Sequence, residues 1–296
     1  MLTNEGGEFI MGFFSNLLYD NLNSERREYL DDCRREARNY RAEAKSILSD
    51  AKELYEDDYK EIRKDARRMA NQLGESIQSH NKHKIELLTE LGSDISGTIS
   101  NFKAFDIGSH VIKNISIDSG GFSMPTVPSF SNILGSAGNI SLLSLAFSSL
   151  SDPERDRDKA EEQKWKAEEY LASVESAISD IRNTIEKLRS TEKYIRDERE
   201  MLDQLMSKVR GIIQQLKSAM HKDSHTETEA KYMTGICKIA EMIKKTLEEQ
   251  LTADDGSLRS SYKQYSQHLN DINRAIPSRP NISESGSWLD MLLKMG

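Results

Sequence analysis

The histidines could bind a metal, because they form two closely spaced pairs. His80 and His83 are three residues apart, and His221 and His225 are four apart. In a helix, either spacing places two imidazoles on one face, as a zinc site requires. Neither pair has a nearby cysteine or carboxylate in a ligand register. We therefore interpret all four histidines as solvated polar residues and predict no metal site.

The remaining candidates for catalysis are isolated motifs. Ser260 and Lys263 have the S-x-x-K spacing of a serine hydrolase, but the supporting motifs of that class are missing. The glycines between residues 120 and 138 lack the strand–GxxxxGK[ST]–helix context of a phosphate loop. The paired carboxylates Asp57-Asp58 lie in a dense charge run, which is typical of a solvated face. These patterns predict no enzymatic activity and no cofactor.

Composition favours long helices over a large compact core. Charged residues make up 30% of the 296-residue chain and hydrophobic residues 36%, with only five prolines. Such a chain can bury a narrow apolar seam along each helix. The net charge of −8 comes from interspersed acids and bases, so we predict no nucleic-acid partner. Cys33 and Cys237, far apart in the chain, are expected to be reduced core residues.

The N-terminus carries no signal-peptide pattern, because it lacks a basic region before its apolar patch. The chain also has no strongly apolar run of about 18 residues, the length that indicates a transmembrane helix. We therefore expect a protein that is cytoplasmic when soluble. Membrane association and non-classical export remain open alternatives.

Heptad repeats predict two long helices, over residues 24–103 and 153–222. The second repeat continues without a slip from Ala160 to Leu216, whereas the first has a stutter around Tyr55 and Tyr59. Small residues in the first seam favour close packing against an antiparallel partner in the same chain. Two shorter amphipathic helices follow within residues 227–276. The predicted fold is an all-α, elongated antiparallel coiled coil or helical bundle with shorter C-terminal helices.

Residues 104–152 interrupt the heptads, and no Asp, Glu, Lys or Arg occurs between Ser119 and Ser151. We predict an apolar insert at one tip of the bundle, with a short strand or β-hairpin at 107–117 and a short helix within 130–150. The apolar side chains expected to contact a membrane or a partner are Phe130, Ile133, Leu134, Ile140, Leu142, Leu143, Leu145, Phe147 and Leu150.

The two ends of the chain carry further apolar segments. Residues 1–23 predict a short amphipathic helix, and residues 277–296 a linker followed by an apolar motif. At the N-terminus, the candidate contact residues are Phe13, Phe14, Leu17 and Leu18. At the C-terminus, the candidate docking residues are Trp288, Leu289, Leu292 and Leu293.

Two functional hypotheses follow from this layout. The first is a membrane-active protein, pore-forming or membrane-perturbing, whose uncharged segment inserts or docks at a bilayer as part of an oligomer. This layout is similar to that of α-helical pore-forming toxins, in which a hydrophobic tongue interrupts long bundle helices. The second is a non-enzymatic scaffold that binds a protein partner through residues 104–150 and Trp288–Leu293. Either function could involve a homo-oligomer or a multi-subunit assembly.

Overall fold

The structure, a computed structural model, describes residues 6–99, 129–219, 227–282 and 289–290, with side chains from residue 23 onward. Its helices are α1 (Gly6–Leu54), α2 (Lys60–Ile99), α3 (Phe130–Leu134), α4 (Pro153–Ala219), α5 (Glu227–Glu248) and α6 (Ser260–Ala275). No β-strand occurs within these ranges, and the long helices pack together, so the predicted all-α helical bundle is confirmed. The hairpin predicted at 107–117 lies outside the described residues.

Helices α1 and α2 are joined by a single π-helical turn, Tyr55–Tyr59, at the position of the stutter. The wider π turn shifts the apolar seam, and this shift accommodates two successive four-residue steps. At its other end, α1 begins at Gly6, so the helix start predicted at Ser24 is wrong.

The chain divides into two compact units. The first unit comprises residues 1–64 and 136–181, and the second comprises residues 65–135 and 182–296. Each unit is described separately below.

The long helices run parallel within each unit, so the predicted antiparallel pairing is wrong. In the second unit, the cross-helix hydrogen-bond partners are 118–123 residues apart in sequence, and residue numbers on α2 and α4 rise together from Ser79–Arg199 to Asp94–Lys217. In the first unit, Glu43 of α1 pairs with Lys164 of α4 at 2.6 Å, and an earlier contact joins Cys33 to Arg157. A heptad seam looks the same in both directions, so it could not indicate the orientation.

A chain that joins parallel helices must run back along them before the next helix can begin. In the first unit, residues 137–150 run back in this way. We call them the return segment. Its contacts on α4 proceed from Leu150 at Asp156 to Ala146 at Gln163, which is antiparallel to the helix. The segment lies against the sides of the helices, so for these residues the predicted tip position is wrong. Residues 140–150 are not helical, and the helix predicted within 130–150 is limited to α3 and the 3₁₀ turn Gly135–Asn139.

In the second unit, α3 packs its two buried residues, Ile133 and Leu134, onto the bundle. The core around Ile133 is formed by residues from α2, α4, α6 and the loop before α6: Ala70, Leu73, Ile77, Leu188, Ile195, Leu251 and Tyr262. A tight turn at Gly256, with φ of +77°, lies beside Leu188 and separates α5 from α6.

Candidate functional site

The return segment places its side chains alternately toward and away from the helices of the first unit. Leu143, Leu145 and Phe147 are half-buried, as is Ile140. The Leu142 side chain, by contrast, is 49% exposed. This period of two is that of an extended chain. The ammonium of Lys45 lies 5.5 Å from the centre of the Phe147 ring, close enough for a cation–π interaction.

Two stacked tyrosines on the π turn bind the backbone at the start of the return segment. The Tyr59 hydroxyl donates to the carbonyl oxygen of Ala137 at 3.0 Å and accepts from the amide of Ile140 at 3.3 Å. The Tyr55 hydroxyl donates to the carbonyl oxygen of Ile140 at 3.4 Å. The two rings stack with their centroids 5.0 Å apart. The π turn therefore positions both hydroxyls for the same stretch of backbone.

Helix α4 binds the other end of the return segment. Gln163 donates from Nε2 to the carbonyl oxygen of Ala146 at 2.7 Å, and Lys159 donates to the Ser148 hydroxyl at 2.9 Å. The Asp156 carboxylate accepts hydrogen bonds from both the Leu150 amide and the Arg41 guanidinium of α1. Burial alone would raise the pKa of Asp156, but these partners outweigh it, so the pKa lies below its ordinary value and the group is ionised.

The bundle thus recognises the backbone of the return segment more than its side chains. Hydrogen bonds from helix side chains replace the backbone bonds that a strand or helix would make for itself. The apolar side chains are only half covered, so the segment contributes less hydrophobic burial than a core element. The helices therefore hold an extended, uncharged segment mainly through hydrogen bonds to its backbone.

The predicted contact residues are placed in three different environments. Ile133 and Leu134 are buried in the second unit with Phe130 packed beside them, whereas the return segment belongs to the first unit. At the C-terminus, Leu289 is completely buried in the second unit's core, and of the four candidate docking residues it is the one that the structure describes. The side chains of Phe13, Phe14, Leu17 and Leu18, and the residues Trp288, Leu292 and Leu293, lie outside the described part.

A buried ionic cluster in the second unit was missed at the sequence level. The Glu198 carboxylate lies 2.8 Å from Nε2 of His80, 2.5 Å from the Tyr262 hydroxyl and 3.9 Å from Nζ of Lys84. The Lys84 ammonium also donates to the Tyr262 hydroxyl and lies 4.7 Å from the ring centre. His80 is 1% exposed, so its interpretation as a solvated residue is wrong. We call these four residues the ionic cluster.

Burial and mutual charge set the protonation of the ionic cluster. Burial lowers the pKa of Lys84, although the Glu198 carboxylate opposes this shift. Burial alone would raise the pKa of Glu198, but Lys84, His80 and Tyr262 outweigh it and hold that pKa below its ordinary value. Burial also lowers the pKa of His80 and raises that of Tyr262. The cluster therefore holds an ionised carboxylate beside a neutral imidazole and a neutral phenol.

Searches for related proteins give no functional information for this chain. Across the described ranges, no helix combines the length and the apolar character needed to cross a membrane. No protein-family model, curated protein or solved structure matches the chain.

Proposed function

We propose that the protein is a membrane-active helical bundle that holds its uncharged segment on the bundle surface and releases it to a lipid bilayer. The observation that carries this proposal is the way in which the helices hold the return segment. The helices bind its backbone through hydrogen bonds, while its apolar side chains stay half covered and Leu142 points outward.

The chemistry of the segment is compatible with a lipid environment. Residues 119–151 contain no ionisable Asp, Glu, Lys or Arg, so transfer into hydrocarbon would not carry the cost of a buried charge. Backbone groups in a bilayer must bond to one another within a helix or a closed barrel. An extended segment would therefore have to refold on the membrane or pair with other copies. The proposed partners are membrane lipids and further copies of this chain.

Dye release from liposomes tests the proposal, with Leu142→Glu as the informative variant. Leu142 is 49% exposed, so a carboxylate at this position should leave the bundle unchanged in circular dichroism and thermal unfolding. Transfer of the same carboxylate into the hydrocarbon of a bilayer is unfavourable, so dye release should be lost. Ala172→Glu, on the exposed face of α4, is the matched control and should release dye at the wild-type rate. Full release by Leu142→Glu, or none by the wild type at any lipid composition, would reject membrane action.

The second candidate function is a non-enzymatic scaffold that binds a protein partner through residues 104–150. The exposure of two leucines, Leu142 (49%) and Leu150 (43%), favours this alternative, because exposed apolar side chains on an ordered segment suit a docking surface. The burial of Leu289 speaks against the C-terminal motif as a second docking site. A scaffold would leave liposomes intact, and Leu142→Glu would remove a bound protein from pull-downs that Ala172→Glu retains.

A further inference from the structure

The two ends of the return segment are held in different ways. At its N-terminal end the Tyr55 and Tyr59 hydroxyls bind the backbone, and the chain continues from α3, whose Ile133 and Leu134 are buried in the second unit. At its C-terminal end, Leu150 is 43% exposed, so burial contributes little there. Its amide instead donates to the Asp156 carboxylate, and Asp156 is itself only 7% exposed. This end is therefore secured by a polar contact.

Asp156 is also the only ionised acceptor that binds the return segment's backbone among the described contacts. The other backbone bonds include those of the neutral groups of Tyr55, Tyr59 and Gln163. A hydrogen bond to a charged group stabilises by about 1.5–3 kcal/mol, against about 0.5–1.5 kcal/mol for a neutral one. The Arg41 guanidinium binds the same carboxylate and fixes its position toward Leu150.

We propose that Asp156 is a latch: its bond to the Leu150 amide keeps the return segment on the bundle, and loss of that bond starts the segment's separation from the Leu150 end. The biological purpose of this separation rests on the membrane function proposed above. The latch itself is a property of the protein in solution, so it can be tested without a membrane.

Limited proteolysis with chymotrypsin measures the separation directly. Phe147, a chymotrypsin site, lies half-buried in the return segment, and Tyr170, also a site, lies buried within α4. Cleavage after Phe147 reports separation of the segment, while cleavage after Tyr170 reports unfolding of the helix. When opening is fast relative to cleavage, each rate follows the population of the open form.

Asp156→Asn should accelerate cleavage after Phe147 about five- to tenfold, since the neutral amide oxygen accepts a weaker hydrogen bond than the carboxylate does and no longer pairs with the Arg41 guanidinium. Cleavage after Tyr170 should change much less. The matched control is Asp158→Asn, which removes an acid from the same helix whose side chain is 65% exposed and pairs with Arg157. Chymotrypsin should cleave the Asp158→Asn variant after Phe147 and after Tyr170 at the wild-type rates. Equal acceleration at both sites, or no acceleration at Phe147, would overturn the latch.

Leu150→Pro is a second variant, for use if Asp156→Asn does not fold. Proline lacks the amide hydrogen, so this change removes the donor and leaves the Arg41–Asp156 pair in place. It should accelerate cleavage after Phe147 as Asp156→Asn does, and an unchanged rate would overturn the latch. Dye release by the same variants separates the two proposals. Selective cleavage without faster dye release supports the latch and counts against membrane action, whereas faster release without selective cleavage rejects the latch.

Discussion

Replacement of Glu198 by glutamine should destabilise the second unit strongly, because it leaves the Lys84 ammonium buried without its counter-charge. Lys84 is fully buried, and the Glu198 side chain is 1% exposed. Glutamine has nearly the same size and can still accept a hydrogen bond from Tyr262. The change therefore removes the charge and little else.

The loss of unfolding free energy depends on whether Lys84 is charged or neutral in the folded variant. Removal of one partner of a buried ion pair typically costs about 3–5 kcal/mol. The amine can instead give up its proton, and from an ordinary pKa of 10.5 this costs about 5 kcal/mol at pH 7 but only about 2 kcal/mol at pH 9. The cost of the substitution therefore cannot exceed the cost of removing the proton from Lys84. We expect Glu198→Gln to cost about 3–5 kcal/mol at pH 7 and no more than about 2 kcal/mol at pH 9.

Urea unfolding followed by circular dichroism at both pH values tests this expectation. The sign follows from proton linkage: if Lys84 is neutral in the folded variant and charged when unfolded, the unfolded state binds more protons, and the variant's stability rises with pH. Asp203→Asn is the matched control. Asp203 also lies 2.8 Å from a histidine on α2, His83, but its side chain is 55% exposed, so its loss should cost less than about 1 kcal/mol. A cost below about 1 kcal/mol for Glu198→Gln, or one that does not shrink by pH 9, would refute the reasoning.

Two further predictions concern the second unit. Gly256→Ala should lower the unfolding free energy by about 1–3 kcal/mol, because Gly256 has φ of +77° and an added Cβ would lie 2.6 Å from Cδ2 of buried Leu188. Gly211→Ala in α4 meets nothing within 4 Å and should instead stabilise by about 0.5–1 kcal/mol, so a thermal melt of the pair gives opposite shifts. On acidification, Glu198 should lower the stability of the wild type as the pH falls below 4.5, since its folded pKa lies below that ordinary value and the unfolded state binds more protons. The lowered pKa of His80 adds a loss that begins below pH 6.5. An acid titration by circular dichroism should show a smaller loss for Glu198→Gln.

The long helices could be predicted because their buried residues repeat with a period that only a helix supports. Every seventh residue from Ala160 to Leu216 was assigned to one seam, and the members Ala160, Val174, Leu188, Leu202 and Leu216 are all completely buried. The stutter at Tyr55 and Tyr59 likewise marked a real irregularity, the π turn. Periodicity therefore predicted which faces are buried, although it could not specify the direction of the partner helix.

The ionic cluster was missed because its members are distant in sequence and ordinary in composition. His80 and Lys84 lie in a charged helix, and the sequence alone predicts a solvated polar residue at His80. One signal was present: Lys84 lies seven residues after Ile77 and seven before Leu91, both of which are buried. A lysine at a seam position indicates a buried partner of opposite charge, but the sequence does not identify that partner.

The course of the return segment explains only part of its composition. A connection that crosses the side of a bundle needs apolar residues where it faces the helices, as at Leu143, Leu145 and Phe147. Where such a connection faces water, polar residues would suffice, and Ser144 and Ser148 meet that expectation. Leu142 and Leu150 do not, since they are 49% and 43% exposed and packing in this structure gives little reason for either leucine. Packing against the helices therefore leaves the outward-facing leucines unexplained, whereas contact with a bilayer or a partner would bury them. For this reason the decisive substitution is at Leu142 and not at its half-buried neighbours.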